Sequence, residues 1–428
     1  MKGFHPLSLC TKAWAWIVAG LLAAGGLRAD FQGSTHLMPY DEDTLGYARL
    51  PETGAIAQLQ GKIDRCEVTL NKDARFGYLL SVLRELKVST ASQMLVFSKT
   101  SFQRERIGPA NPRALFFNDG VYVGYIPGSH LLEFTSVDPK LGAVFYTLDQ
   151  EETGRPKFVR TDNCTECHAS ARTMGVPGHL VRSFQTDETG MVDLLTGVDP
   201  VNHRTPLADR WGGWYVTGQH GSQIHRGNLV GKEAFAKQEK QPNFSGNLGD
   251  LSRFFDPAKY PEPTSDIVSL MVMEHQQHGQ NFITRVGYEA RLHLGAYGHV
   301  NYLRTAVESL VKYFLLVEEV PLTAEVKGNP EFVRAFEKGG PRDSKGRSLR
   351  QLDLKTRLFR HRCSFLIQGE AFAGIPEPMK ERIYQRLHDV LTGKDTAETW
   401  KTLDPESRQE ILEILRETQP GLPLYWKN

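Results

Sequence analysis

The chain has 428 residues, with 51 Lys and Arg against 50 Asp and Glu, a formal net charge of +1 and 40% hydrophobic residues. So even a balance gives no global electrostatic reason to expect nucleic acid or an anionic membrane surface as partner. The length exceeds what one compact core usually holds, so two domains, or one domain with large insertions, are expected.

At the N-terminus, Lys2 and Lys12 precede an uncharged stretch from Ala13 to Leu27, and Arg28-Ala29 then leads into acidic, polar sequence. This run has the length of a signal h-region and is short for a membrane span, so residues 1–29 are expected to be a signal peptide cleaved after Ala29. An uncleaved anchor is the alternative reading of the same stretch. No later segment reaches membrane-spanning length without charge. The mature chain is therefore expected to be periplasmic or otherwise exported, with no transmembrane span. Cys10 leaves with the signal, and Cys66, Cys164, Cys167 and Cys363 then meet an oxidising compartment. Two of these belong to the motif described below, and Cys66 and Cys363 are either a disulfide or two separate thiols.

From Asp30 to about Gly61 the sequence is polar and irregular; Phe76, Leu79, Leu80, Leu83 and Leu86 then stand at helical spacing. Between Met94 and Leu148 the pattern changes to short β-rich runs, Leu115-Phe117, Val121-Ile126, Leu131-Phe134 and Val144-Leu148, separated by turn residues such as Asn118-Asp119-Gly120 and Pro127-Gly128. The gaps are too short for crossover helices, so the strands should form an antiparallel sheet in a mixed module over 30–150. From Ser170 to Asn228 the chain is rich in Gly and Trp with little periodicity, which suits a loop wrapped about a flat ligand. Helical patterns follow at Ser265 to about Arg291, Asn301 to about Glu319, Glu377 to Leu391 and Pro405 to Glu417, with Gly339 to Arg350 an exposed loop or linker.

The chemistry-bearing motif is Cys164-Thr165-Glu166-Cys167-His168. Two cysteines three apart place both thiols on one side of a helical turn, where they can add to the two vinyl groups of haem, and the next residue aims an imidazole at the iron. A zinc site would need further closely spaced ligands, which Cys66 and Cys363 do not offer, and a dithiol redox site would not need His168. One covalently bound haem c is the expected cofactor, with His168 as an axial ligand.

The motif resembles that of the c-type cytochromes, and Val176-Pro177-Gly178-His179-Leu180 looks like their following Pro-containing loop. The resemblance implies that the carbonyl of Pro177 accepts a hydrogen bond from the proximal imidazole. Phe97-Ser98-Lys99-Thr100-Ser101, Val121-Tyr122-Val123-Gly124, Arg210-Trp211-Gly212-Gly213-Trp214 and Glu274-His275-Gln276 also resemble uncharacterised bacterial periplasmic cytochrome c domain proteins with a single CxxCH. The expected fold is α+β: a mixed N-terminal module with a small antiparallel sheet, a haem-binding cytochrome c-like region over 151–320, and a helical C-terminal region over 321–428.

Met or His normally supplies the second axial ligand, and an open position signals ligand binding or catalysis. His275 projects from the apolar stripe of its helix with Val268, Met271 and Phe282, and is the first candidate for the iron. The bland alternative is a core histidine. His203, His220 and His225 are runners-up, whereas Met174 lies close to His168 in sequence and Met271 and Met273 suit core packing. Among Arg204, Arg210 and Arg226, at least one is expected on a haem propionate, with Arg210 and Trp211 the named cofactor contacts. The functional expectation is a monohaem c-type cytochrome that exchanges single electrons with a redox partner protein or a small-molecule donor or acceptor. The alternative is a haem-dependent oxidoreductase, a peroxidase or small-molecule oxidase, with an open iron site and an acid-base group such as Glu274 or His278.

Overall fold

A computed structural model describes residues 36–427. The signal peptide expected over 1–29 lies outside the described residues. Two short helices come first, α1 (Ala55–Asp64) and α2 (Leu79–Glu85). A meander follows: β1 (Met94–Val96), β2 (Arg113–Phe117), β3 (Val121–Tyr125), β4 (Leu131–Asp138), β5 (Gly142–Asp149) and β6 (Phe158–Arg160). The turn between β2 and β3 is made by Asn118, whose Oδ1 accepts from the backbone N–H of Gly120 and Val121, the local capture that favours Asn at such sites.

After the cysteine motif on α3 (Thr165–His168) comes a two-stranded ribbon, β7 (Ser183–Thr186) and β8 (Val192–Val198), and then β9 (Trp214–Tyr215). β9 returns to pair with β1, which gives a seven-stranded antiparallel sheet in the order β6-β5-β4-β3-β2-β1-β9. The sheet expected from sequence is present and larger than expected. The Gly- and Trp-rich segment is partly regular, with β7, β8 and β9 in it; β8 is mostly exposed, so it shows no apolar alternation, and β9 is two residues long.

Side-chain alternation divides the sheet. One face, with Phe116, Val123, Phe134 and Val144, packs on Ile56 and Leu59 of α1 and Leu79 and Val82 of α2. Met94, Val96, Phe117, Tyr122 and Val137 of the other face join the core of the helical half. That half contains α4 (Lys232–Lys240), α5 (Ile267–Tyr297), α6 (Arg304–Phe314), α7 (Pro330–Lys338), α8 (Glu370–Ala373), α9 (Glu377–Leu391) and α10 (Pro405–Thr418). Its core runs without a break from the sheet face to Trp426, so the boundaries expected near 150 and 320 both fall within continuous packing. The segment 339–350 is irregular, as expected, but tied down: Arg347 pairs with Asp343 and Glu413, and Arg350 with Asp119. No helix among the described residues is long and apolar enough to cross a membrane.

α5 organises the molecule. Its 31 residues span about 46 Å at 1.5 Å per residue, and every residue from Ile267 to Tyr288 is buried. The sequence pattern indicates an apolar stripe, whereas the polar face is enclosed as well, between the sheet and the surrounding helices. Asp266 starts it: one carboxylate oxygen accepts from Ser269 N at 2.8 Å, and the other accepts from the backbone N–H of Asn329, which caps α7. Asp266→Ala leaves these buried donors unpaired and should destabilise the protein by about 2 kcal/mol in urea unfolding; a loss below about 0.5 kcal/mol would show that water replaces the cap.

Candidate functional site

The motif begins where β6 ends, on a single 3-10 turn (Asp162–Cys164) that runs into α3. Cys164 is half-buried and Cys167 exposed, and both thiols are free. Burial, with the Glu133 carboxylate adding to it, pushes the Cys164 thiol up to about 11. Glu133 pairs with Arg113 at 2.6 Å across β3, where Gly124 provides the room, since a Cβ there would collide with the guanidinium. Both charges face Cys164 and His168.

His168 is fixed by Gly178 twice: Gly178 N donates to the His168 carbonyl at 2.8 Å, and His168 Nδ1 stands 2.9 Å from the Gly178 carbonyl. A carbonyl only accepts, so Nδ1 carries the proton and the lone pair of the neutral ring is on Nε2. Burial holds the ring below the usual histidine range, which keeps it neutral. Phe145 packs against the imidazole with ring centroids 5.0 Å apart. Pro177, implied by resemblance to be the acceptor, is displaced by one residue from that role, because its carbonyl accepts instead from Ala143 N at 3.2 Å.

The other residues named from sequence lie elsewhere. His275 is fully buried, with Nδ1 3.0 Å from His203 Nδ1, Nε2 2.8 Å from Ser364 Oγ, and its ring stacked on Tyr313. Both ring nitrogens are thus engaged by side chains of the chain itself. Arg210 and Trp211, expected on the cofactor, are buried and directed at Glu274: Arg210 forms an ion pair with it, and Trp211 Nε1 donates to it at 3.1 Å. Arg210 also donates to the carbonyls of Thr205 and His203.

The runners-up are placed with equal clarity. His220 Nε2 accepts from Asn247 N at 3.0 Å and His225 Nδ1 from Gly227 N at 2.9 Å, so the lone pairs of these neutral rings point at backbone. Arg226 holds Asp209 and the Thr196 carbonyl, and Arg204 lies over the Tyr313 ring. Met271 and Met273 are in the core, as expected, and Met174 is buried with its carbonyl on Arg285. Cys66 and Cys363 are both free, one exposed and one buried.

Sequence reasoning missed Arg113, Glu133, Gly178 and Asn281. Gly178 was within the quoted loop, one position from the residue chosen. The other three reach the motif only through the fold, and nothing in their local sequence marks them.

Haem brings four nitrogens to its iron, so the chain needs to supply one axial donor and two thiols. The residues present fit that requirement: two free thiols on one turn, and a neutral imidazole whose lone pair is opposite the nitrogen bonded to Gly178. Among the described residues no three His, Cys, Asp or Glu side chains converge to hold a bare metal ion. No protein family, curated protein or solved structure matches the chain.

The buried histidines make stability depend on pH. Burial depresses His179, His225 and His275 each to about 3, against the ordinary 6.5 of an unfolded chain. The unfolded chain therefore takes up protons below 6.5 that the folded one refuses, and stability present above 6.5 is lost as pH falls toward 3. His225→Gln should flatten this fall by one proton, about 1.4 kcal/mol per pH unit, in urea unfolding as a function of pH; an unchanged slope would mean His225 is protonated in the native state.

Proposed function

We propose that the chain carries one haem c through thioether bonds at Cys164 and Cys167, with His168 on one axial position, and passes single electrons in the periplasm or an equivalent exported setting. The observation that supports this best is the tautomer of His168. Its Nδ1 proton is committed to the Gly178 carbonyl, which leaves Nε2 as the donor and raises its basicity. When bound, haem supplies a one-electron couple whose position the axial ligands tune. The chain's own contribution is to hold the imidazole at a fixed tautomer, to back it with Phe145, and to keep the attachment edge at the surface. Cys167 is exposed, so that edge lies where a redox partner protein or a small donor or acceptor can approach it.

A second reading, a haem-dependent oxidoreductase with an open iron face, is favoured by the engagement of His275, the sixth ligand that the sequence suggested. The two readings separate on one sample. Protein from a host competent in cytochrome c maturation should retain its pigment in acidified organic solvent, and Cys164→Ala with Cys167→Ala should abolish that retention. A colourless wild type would end the haem reading. A low-spin iron inert to cyanide supports the carrier, and a high-spin iron that binds it supports the oxidoreductase. His275→Ala should leave the Soret and visible bands of the reduced protein in place; a shift in them would return His275 to the iron.

A further inference from the structure

We propose that Asn281, in the middle of α5, is a positioning residue that tunes the axial imidazole through a single peptide group; the inference rests on the haem reading. The peptide that joins Gly178 to His179 has its carbonyl against His168 Nδ1 at 2.9 Å. The N–H of that same peptide donates to Asn281 Oδ1 at 3.0 Å. The result is a continuous chain, Asn281 Oδ1 to peptide N–H, peptide C=O to imidazole N–H. Hydrogen bonds in series polarise one another, so a peptide whose N–H is already engaged presents a more negative carbonyl. A stronger acceptor at Nδ1 makes the ring more basic at Nε2, and a more basic donor favours the ferric state.

Four further observations show that this arrangement is built in. Asn281 Nδ2 donates to the His179 carbonyl at 2.8 Å, so the side chain grips the residue on both sides and its amide orientation is fixed. Asn281 is buried, with 1% of its surface exposed, where water cannot replace it. Position 178 must be Gly, because a Cβ there would collide with Asn281 Oδ1. One turn further along α5, Arg285 donates to the Met174 carbonyl at 3.0 Å, which fixes the other end of the same loop. The peptide can therefore neither flip nor drift while α5 is in place.

The test is the midpoint potential of the holoprotein, measured by spectroelectrochemistry on wild type, Asn281→Ala, Asn281→Ser and the control Tyr288→Phe. Tyr288 also anchors backbone from α5, through its hydroxyl at Leu141 in the β4–β5 turn, whereas the Gly178–His179 peptide is bonded to Asn281 and His168. Both Asn281 variants should raise the potential, with about a tenfold fall in the oxidised-to-reduced ratio at a fixed ambient potential, equivalent to 59 mV for one electron. Tyr288→Phe should leave the potential unchanged. Potentials of the Asn281 variants that coincide with the control would overturn the proposal. A second measurement needs no variant: the hyperfine-shifted Nδ1 proton of His168 in the ferric wild type should persist in deuterated buffer, and its immediate exchange would also overturn it. A wild type without thioether-bound haem defeats the haem reading itself, an outcome distinct from a coloured protein whose potential ignores position 281.

Discussion

The structure depends on the burial of a polar helix. α5 passes between the sheet and the outer helices with Glu274, His275, Gln276, Gln280, Asn281 and Arg285 all enclosed. A buried polar group left without a partner costs about 1–3 kcal/mol, so each of these side chains has to find one, and the partners it finds are distant in sequence. Glu274 takes Arg210 and Trp211, and His275 takes His203 and Ser364. Gln276 and Gln280 take the Tyr122 hydroxyl and the carbonyls of Asn118 and Asp119, which sets the helix against the β2–β3 turn. Asn281 and Arg285 take the loop after the cysteine motif. Apolar packing would tolerate sliding of a helix along a sheet face. This series of directional bonds does not, and it carries the register of α5 to the imidazole.

The motif itself is local: five consecutive residues supply both thiols and the imidazole, and such a unit can be grafted on many scaffolds. What the fold adds is environment. Phe145 from β5 sets the face against which the ring lies, and Arg113 and Glu133, paired over Gly124, place opposite charges beside the Cys164 thiol. The two charges partly cancel at the motif, with the carboxylate the stronger influence on Cys164 and the guanidinium the stronger on His168. Burial outweighs both of them in each case. Of the two thiols, Cys167, exposed at the surface, is the more accessible.

How much of this was legible in the sequence followed the range of the forces involved. Alternation and turn residues revealed β2 to β5, and helical spacing revealed α9 with the same limits, Glu377–Leu391, and α5 nearly so. α1 was not legible, because Ile56, Leu59 and Ile63 are its whole buried face and Gly54 offers no side-chain cap. β9 was not legible because two residues cannot show a period; Trp214 and Tyr215 are a strand only because β1 is there to pair with them. His275 shows the limit of what spacing can tell. A histidine on an apolar stripe signals that something polar faces it, and spacing alone does not distinguish an iron atom from the ring of His203. Arg210 and Trp211, suited in type to a propionate, face a carboxylate of the chain itself, Glu274.

Glu274 shows how the buried polar groups of α5 differ in cost. Glu274 has a guanidinium and an indole N–H as partners, yet burial still outweighs them and lifts its carboxyl to about 7. A buried ion pair returns its desolvation cost only when the geometry is near ideal and every remaining lone pair is satisfied, and here the balance is close to even. The pair is thus weak as a source of stability but strong as a constraint, because separating Arg210 from Glu274 would strand a charge in a nonpolar interior. Asn281 is neutral, so the same depth of burial carries no such penalty there and its hydrogen bonds fix geometry at small cost, while the charge of Arg285 one turn on is met by Glu289. A neutral amide grips the Gly178–His179 peptide without adding a charge of its own beside the His168 imidazole, and the Arg210–Glu274 pair stands two helical turns away along α5.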